Sequence, residues 1–246
     1  MCRFGQKNDM SIPHEIQELF EKNGGKFGCS AFKLTEKLHH IHALVFDWDG
    51  VFHSGHKSEN KASSFSEADS MGINMLRFAY FLQHGQIPFT AIISGENNPT
   101  AAYFAEREHL NAVYLGAKDK AIVLAALEQN DQIAPNKVWF AYDDILDLSV
   151  ATQVGFRVMV NRNASVAFKQ YATQHKYYDY FTAAEGHQHA LREACELSLS
   201  LLGMFDKVVE ERVAYSDLYA TYINRRNAIS SRFFDCKSGT PKLQKK

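Results

Sequence analysis

Between residues 41 and 182, short apolar segments alternate regularly with segments of helical periodicity. The strand-like segments lie at residues 42–47, 88–94, 112–116, 137–143 and 157–160, with a weaker sixth at 178–181. In "SMGINMLRFAYFLQHG", Met71, Met75, Phe78 and Leu82 fall on one face of a helix. Uninterrupted apolar strands separated by helices indicate a parallel sheet covered on both faces. With right-handed crossovers, the pattern predicts an α/β fold with a doubly wound, Rossmann-like parallel sheet.

Two further regions flank this α/β pattern. We expect an N-terminal helical extension over residues 1–40, a central domain over 41–186, and a long C-terminal helix with a basic tail over 187–246. The sequence "SIPHEIQELFEKNGG" predicts a helix with Ser11 as its N-cap. From "HALREAC" to "NRRN", the C-terminal region is helical in pattern and contains no proline and only Gly203. So long a helix must break near Gly203 and fold back, or pack on a partner subunit, to bury its apolar stripe.

Charge and composition exclude several classes of protein. The chain has 27 Lys and Arg against 28 Asp and Glu, which argues against binding to nucleic acid or to an acidic membrane surface. It has no run of roughly 18 apolar residues and no apolar signal-peptide segment, so we expect no membrane association. The cysteines lack CxxC spacing, which indicates the reduced thiols of a cytoplasmic protein. They are Cys2, Cys29, Cys195 and Cys236.

Polar residues follow four of the predicted strands, where parallel strands place ligands. These residues are Asp47 and Asp49, Ser94 with Gly95, Lys118 and Lys120, and Asp143, Asp144 and Asp147. Two carboxylates as close as Asp47 and Asp49 repel each other, and burial at a strand end adds a desolvation cost. A bound cation or a reaction would offset that cost.

Each of these residue types has a role in phosphoryl transfer. Converging carboxylates without histidine or thiolate suit a hard divalent cation, above all Mg²⁺. Asp47 can then attack phosphorus to form an aspartyl-phosphate, and Asp49 can serve as general acid and base. Ser94 and the neighbouring backbone N–H groups can bind phosphate oxygens, and Lys120 can balance their charge.

The order of these motifs resembles the haloacid dehalogenase (HAD) superfamily. "FDWDGV" resembles the first motif, DxDGx, and "IISG" the second; Lys120 resembles the third-motif lysine, and "YDDILD" the GDDxxD fourth motif. Within the superfamily, the sequence is most similar to the capless 3-deoxy-manno-octulosonate-phosphate phosphatases and related sugar-acid phosphatases. "AEGHQHALREACELSLSLLG" adds to this resemblance, which covers roughly residues 34–203.

The resemblance implies a set of site residues. It implies the catalytic residues Asp47, Asp49, Ser94 and Lys120. It implies phosphate binding by Ser94, Gly95 and Lys120, and Mg²⁺ binding by Asp47, Asp49, Asp143 and Asp144. In these roles Asp47 is the nucleophile, Asp49 ligates through its backbone carbonyl, and Asp144 is an additional acid.

The resemblance also bears on architecture and assembly. Residues 50–88, like the corresponding interval in the capless group, leave no room for a separate cap domain and would form a hairpin flap. Residues 41–186 would then be the catalytic domain. Because such proteins are typically tetramers, the resemblance implies a homo-oligomer, with the tetramer as its expected form.

Several positions depart from the pattern of the group. Glu96 and Ala68 stand where the group has arginines, Tyr142 replaces the fourth-motif glycine, and His187 and His189 replace glycines. The two positive charges expected to bind a substrate carboxylate are therefore missing. These departures argue against 3-deoxy-manno-octulosonate phosphate itself as the substrate.

Some neighbouring residues have ordinary structural explanations. Trp48 is expected to pack in the interior, and Asp147 to stabilise the first turn of its helix or to orient a loop. His53 and His56 could reach a substrate from the flap, but exposed loop histidines are more common, and we expect that here.

The sequence therefore predicts a Mg²⁺-dependent phosphatase that hydrolyses a small phosphorylated metabolite, a sugar or sugar-acid phosphate. One alternative is a catalytically weak or inactive HAD-fold protein that acts by association through its C-terminal helix. The length of that helix, Tyr142 and the lost arginines favour this alternative. Another is a mutase or nucleotidase, although a mutase needs a cap to retain its intermediate.

Overall fold

One sheet of nine strands lies at the centre of the computed structural model, which describes residues 11–57 and 63–244. The strands are β1 Lys26–Phe27, β2 Ala43–Asp47, β3 Phe89–Ser94, β4 Ala112–Leu115, β5 Val138–Tyr142, β6 Phe156–Asn161, β7 Tyr180–Glu185, β8 Arg232–Asp235 and β9 Lys242–Leu243. Their order is β1-β7-β6-β5-β2-β3-β4-β8-β9. Neighbouring strands from β7 to β8 are parallel, and β1 and β9 pair antiparallel at the two edges.

Helices cover both faces of this sheet. They are α1 Ser11–Lys22, α2 Ala31–Leu38, α3 Glu67–His84, α4 Pro99–Arg107, α5 Ala121–Asp131, α6 Leu148–Ala151, α7 Val166–Gln174, α8 Ala190–Leu201, α9 Phe205–Val213 and α10 Asp217–Asn227. Short 3₁₀ turns lie at Pro135–Lys137, Ile145–Asp147 and Gly186–Gln188. Helices α5, α6 and α7 pack on one face, and the others pack on the opposite face.

The central strand β2 shows why the sheet needs two covering layers. All five of its residues are buried. Leu44 and Phe46 contribute to one core layer and Val45 to the other, because side chains alternate across a strand. The predicted α/β fold with a doubly wound parallel sheet is confirmed. In the described part of the interval between Asp49 and β3, only α3 forms, so no separate cap domain is found there.

Local sequence signals set the ends of α3. The hydroxyl of Ser66, its N-cap, accepts a hydrogen bond from the backbone N–H of Ala68 at 3.0 Å. Gly85 ends the helix with φ at 70°, a left-handed conformation that glycine adopts at little cost. Helix α3 therefore begins just after the flap and returns the chain to the start of β3.

The C-terminal region is not one long helix but breaks near Gly203 and folds back, which is the first of the two alternatives predicted for it. It forms α8, α9 and α10, and the first break comes at Gly203, whose φ is +65°. Folding back lets Tyr222 pack against α3, where its hydroxyl donates a hydrogen bond to the backbone carbonyl of Asn74 at 3.0 Å. Strand β8 then pairs with β4, so the chain after α10 extends the central sheet.

The N-terminal region also joins the main structure. The predicted helix is present as α1, which begins at Ser11 itself, and β1 pairs with β7. Elements from all three predicted regions thus share one sheet. Cys2, residues 58–62 of the predicted flap, and the last two residues of the basic tail lie outside the described residues. Among the helices of the described residues, none is long and apolar enough to cross a membrane.

Candidate active site

A cavity of about 240 Å³ lies at the carboxyl ends of the central strands, and we call it the carboxylate cavity. It is lined by six predicted site residues, Asp47, Asp49, Gly95, Lys120, Asp143 and Asp144. They come from the ends of β2, β3 and β5 and from the loop after β4. The parallel sheet thus brings together residues that are up to 97 positions apart in the sequence.

Lys120 lies between two buried carboxylates. Its Nζ donates a hydrogen bond to Asp47 Oδ1 at 2.5 Å and another to Asp147. Burial lowers the pKa of Lys120, but the charges of the two aspartates outweigh burial and raise it above its ordinary value. Burial raises the pKa of Asp47 to about 6, although the charge of Lys120 opposes this rise. Burial and the neighbouring Asp47 raise the pKa of Asp147 to about 7.

The carboxylate of Asp143 forms an ion pair with an arginine that was not predicted as a site residue. Arg162, directly after β6, donates a hydrogen bond to Asp143 Oδ2, while the buried Oδ1 has no hydrogen-bond partner. Burial raises the pKa of Asp143 to about 6 against the charge of Arg162. Gly50 packs directly on this pair. A Cβ on Gly50 would lie 2.1 Å from Asp143 Oδ2, and its φ of +90° also favours glycine.

Three carboxylates of the cavity fit a divalent cation. Asp47, Asp143 and Asp147 each offer an oxygen, and these oxygens lie within 4.8 Å of one another. The unpartnered oxygen of Asp143 is a further sign that a ligand completes the cluster. Asp144 lines the cavity outside this cluster, and its Oδ1 accepts a hydrogen bond from the N–H of Ile145 at 2.7 Å.

Asp147 has more than the helix-stabilising role predicted for it. Its Oδ2 does accept a hydrogen bond from the N–H of Asp144 at 3.3 Å, as a residue in the first turn can. Its Oδ1 faces Lys120, and the side chain is 1% exposed. The position therefore contributes to the cavity as well as to the turn.

Asp49 lies beside Asp47 in a different environment. His53 Nε2 is 3.3 Å from its Oδ1, and Lys57 Nζ and Asn98 Nδ2 are 3.2 and 3.0 Å from its Oδ2. Burial raises the pKa of Asp49, but these three polar neighbours outweigh burial and hold it below its ordinary value. The carboxyl groups of Asp47 and Asp49 are therefore shifted in opposite directions.

Trp48 and His53 lie near Asp49, and the structure shows whether each side chain is buried or exposed as predicted. Trp48 is fully buried, as predicted, and its Nε1 donates a hydrogen bond to Ser63 Oγ at 2.9 Å. The prediction that His53 is an exposed loop residue is wrong, because only 6% of it is exposed. The N–H of Gly55 donates a hydrogen bond to His53 Nδ1 at 3.1 Å, and the imidazole lies beside the ring of Trp48.

Ser94 is fully buried behind the cavity wall. Its Oγ accepts hydrogen bonds from Asn98 Nδ2 at 2.6 Å and from the N–H of Glu96 at 3.2 Å. Asn98 also contacts Asp49, so it connects Ser94 to the carboxylate cavity. Gly95 lines the cavity, whereas Ser94 does not. Glu96 is paired with Lys118.

Tyr142 does not obstruct the site. Its ring packs in the core layer beneath α5 and α6, and its hydroxyl donates a hydrogen bond to the carbonyl of Tyr177 at 2.7 Å. It does not line the carboxylate cavity. The replacement of the fourth-motif glycine therefore changes the core and leaves the cavity open.

The site includes three residues that were not predicted from the sequence, Lys57, Asn98 and Arg162. Arg162 is the first residue after β6, so the rule that singled out the other strand ends could have found it. Asn98 directly precedes Pro99 at the start of α4. Lys57 gave no signal, because its contact with Asp49 depends on how the flap folds back.

No family model matches the chain. The 3-deoxy-D-manno-octulosonate 8-phosphate phosphatase KdsC of Escherichia coli K12 is 25% identical over 185 residues, which cover 74% of this chain and 91% of that protein. A crystal structure of a "probable yrbi family phosphatase" from Pseudomonas syringae is 28% identical with a TM-score of 0.60, and the match covers 75% of this chain and 98% of that one.

A third relative has bound ligands. The 3-deoxy-D-manno-octulosonate 8-phosphate phosphatase of Moraxella catarrhalis was solved in complex with a magnesium ion, a phosphate ion and a KDO molecule. It is 24% identical with a TM-score of 0.61, and the match covers 75% of this chain and 98% of that one. At 24% identity, this similarity supports the assignment of the fold alone.

The fold, the carboxylate cavity and these relatives confirm the predicted resemblance of this chain to HAD-type hydrolases. Within that class, its resemblance to the capless 3-deoxy-manno-octulosonate-phosphate phosphatase group is confirmed, since the relatives are named KdsC or YrbI phosphatases.

Proposed function

We propose that the protein is a Mg²⁺-dependent phosphatase that hydrolyses a sugar or sugar-acid phosphate through an aspartyl-phosphate on Asp47. The observation that carries this proposal is the juxtaposition of Asp47, Lys120 and Asp143 in one cavity with Asp49 at its rim. The substrate class comes from the relatives, which are named for a phosphorylated sugar acid. Because Glu96 and Ala68 stand where the group has arginines, the proposal names a class of substrate and no particular compound.

Asp47, Asp143 and Asp147 would hold the magnesium ion, because carboxylate oxygens are its preferred protein ligands. When bound, the ion supplies positive charge that offsets the repulsion between these carboxylates and a phosphate dianion. The backbone carbonyl of Asp49 and the carboxylate of Asp144 remain predicted additional contributors.

The chemical steps fall to two aspartates. A carboxylate oxygen of Asp47 forms a bond to phosphorus while the bond from phosphorus to the ester oxygen breaks, and Asp49 donates a proton to that oxygen. In the second step a water attacks phosphorus, Asp49 takes a proton from the water, and the bond to Asp47 breaks. His53 and Lys57 favour ionised Asp49 in the free protein, whereas a bound phosphate dianion opposes them and favours the protonated acid.

The remaining groups orient the phosphate. Lys120 fixes Asp47 and places its charge beside the phosphoryl group, and Gly95 lines the cavity at the end of β3. In this proposal Ser94 acts through Asn98, which it positions against Asp49. Lys57 and Arg162 add positive charge on the rim, which suits an anionic substrate despite the two missing arginines.

The test is phosphate release from a panel of sugar and sugar-acid phosphates, with and without Mg²⁺. We expect turnover that requires the metal and that Asp47→Asn abolishes. Asp206→Asn, the same change at an exposed position of α9, is the matched control and should retain full turnover. Unchanged turnover in Asp47→Asn would refute the proposed nucleophile.

The proposal also includes an oligomeric state and a cellular location. A homo-oligomer, with the tetramer as the expected form, stays a prediction that light scattering on the full chain can test. Val209, Val213, Tyr215 and Leu218 expose apolar surface on and between α9 and α10, where a subunit contact could form. A cytoplasmic location is supported by Cys29, which is a free thiol, as are the other described cysteines.

A further inference from the structure

A separate cavity of about 280 Å³ lies between α3, the end of α4 and the helices α9 and α10, and we call it the arginine cavity. Its described lining residues are not shared with the carboxylate cavity. Three of them are arginines, which come from three different elements. They are Arg107 at the end of α4, Arg212 on α9 and Arg226 on α10. Like charges that converge in this way repel one another, so the cavity favours a negative partner.

Two carboxylates offset part of this charge. Glu108 is buried, with its Oε1 3.5 Å from Arg107 Nε and its Oε2 3.6 Å from Arg226 Nη1. Its Oε2 also accepts a hydrogen bond from Asn74 Nδ2 at 2.5 Å. Glu67 pairs with Arg107 at 2.7 Å, but its side chain is 77% exposed, and exposed pairs contribute little. Glu67 can therefore release Arg107 to a stronger ligand.

A fourth arginine adds positive charge next to the cavity. Arg77 is fully buried, and its guanidinium donates hydrogen bonds to the backbone carbonyls of Glu108 and His109 at 2.7 and 2.9 Å. Carbonyl oxygens carry no net charge, so these partners do not neutralise Arg77. Burial lowers the pKa of Arg77, and the charge of Arg226 lowers it further. Together the four arginines outnumber the two glutamates, which leaves an excess of positive charge.

Arg212 is the arginine with a spare donor. Its Nε is buried and has no hydrogen-bond partner in the described part of the chain. Its guanidinium packs on the rings of Tyr215 and Tyr219, with Cζ 4.5 and 4.9 Å from their centroids. Stacking holds the guanidinium in place and uses none of its N–H groups. A buried donor without an acceptor is rare, and a bound anion would supply the acceptor.

We propose that the arginine cavity binds a phosphate dianion, either as inorganic phosphate or as the phosphate group of a small metabolite. Phosphate suits it better than a carboxylate does, because it has more oxygens and about two negative charges near neutral pH. Arg212 donates to the ligand from Nε, and Arg107 turns to it from Glu67. The inference goes beyond the proposed function, since the described residues of this cavity lie outside the carboxylate cavity.

The test is calorimetric titration of the metal-free protein in EDTA with inorganic phosphate and with glycerol 3-phosphate. We expect Arg212→Gln to raise the Kd of the tighter probe about 10-fold. Arg225→Gln is the matched control, because it makes the same change at an exposed position of α10 outside the cavity, and its Kd should be unchanged. Phosphate bound in the carboxylate cavity would not respond to Arg212. The tighter of the two probes identifies the source as the free ion or a phosphate ester.

A second variant should have the opposite effect. Glu67→Gln removes the carboxylate that competes for Arg107, so we expect the Kd of the same probe to fall about 3-fold. Its matched control is Glu128→Gln at an exposed position of α5, which should leave the Kd unchanged.

An unchanged Kd in Arg212→Gln, or no binding of either probe to the unmodified protein, would overturn the inference. Light scattering distinguishes one further occupant. If Arg212→Gln leaves the Kd unchanged and lowers the mass of the protein in solution, the arginines contact a partner subunit and not a phosphate group.

Discussion

Lys120 is the residue on which the electrostatics of the carboxylate cavity depend. Its side chain is 6% exposed and contacts Asp47 and Asp147, which are 6% and 1% exposed. Breaking a buried ion pair leaves a charge without compensation in a medium that solvates it poorly. Both carboxylates would then have to take up a proton or repel each other.

We therefore expect Lys120→Met to lower the free energy of unfolding by about 3 kcal/mol, measured by urea denaturation at neutral pH without metal. The control is Lys118→Met, which removes a lysine from an exposed pair with Glu96. Such surface pairs contribute little, so the change should be below about 1 kcal/mol. Equal losses in the two variants would contradict the assigned role of Lys120.

Arg162 competes with the metal ion for Asp143. It donates a hydrogen bond to the carboxylate that would bind the ion. Removing this competing cation should tighten Mg²⁺ binding. For Arg162→Ala we expect the Kd to fall roughly 10-fold, measured by calorimetric titration of Mg²⁺. Lys57→Ala removes the same charge from a residue that contacts Asp49 and not the cluster, and its effect should be smaller. An unchanged or higher Kd in Arg162→Ala would count against competition.

At the scale of elements, the parallel strands could be predicted from sequence, and the C-terminal elements only in part. The predicted strand at 42–47 is β2, Ala43–Asp47, because a strand buried on both faces is an uninterrupted apolar run. In the C-terminal region, Gly203 indicated a break, but the second turn and the last strands could not be predicted. Helical periodicity continues through the turn at Ser216, and nothing in "RFFD" shows that the edge of β4 is available for pairing.

The same distinction applies to the site. Asp47, Asp49 and Asp143 could be predicted because they follow strands whose carboxyl ends meet. Asp147 belongs to the cluster only because a 3₁₀ turn rotates it toward Lys120, a geometry that the sequence does not specify. The contact of Lys57 likewise depends on the path of the flap.

The return of α10 onto α3 can be tested through one hydroxyl. Tyr222 is fully buried and donates its hydrogen bond to the carbonyl of Asn74 at 3.0 Å. Tyr222→Phe removes the hydroxyl that donates this hydrogen bond. We therefore expect the free energy of unfolding to fall by about 1 kcal/mol, measured by urea denaturation. Tyr219→Phe removes a hydroxyl from the same helix and should cost less than about 0.5 kcal/mol. If the two variants lose the same stability, the packing of α10 on α3 is not as described.

At the scale of the whole molecule, the carboxylate cavity links stability to pH. The pKa values of Asp47 and Asp143 are raised to about 6 and that of Asp147 to about 7, from an ordinary value of 3.8. Between the ordinary pKa of 3.8 and these raised values, the folded protein binds more protons than the unfolded chain. The metal-free protein must therefore lose stability as the pH rises from about 4 to about 7. Asp69, with a pKa raised to about 6 outside the cavity, adds to the same trend.

A metal ion reverses this cost only where the carboxylates are ionised, because a proton and a cation compete for the same oxygens. We expect the increase in Tm caused by saturating Mg²⁺ to be large at pH 8 and small at pH 5.5, measured by differential scanning calorimetry against EDTA controls. Asp69 contributes to the metal-free curve at both pH values but not to the difference that Mg²⁺ makes. In Asp147→Asn, which removes one oxygen ligand, the increase at pH 8 should shrink. A Mg²⁺ effect that is equal at the two pH values would mean that the ion binds away from these buried carboxylates.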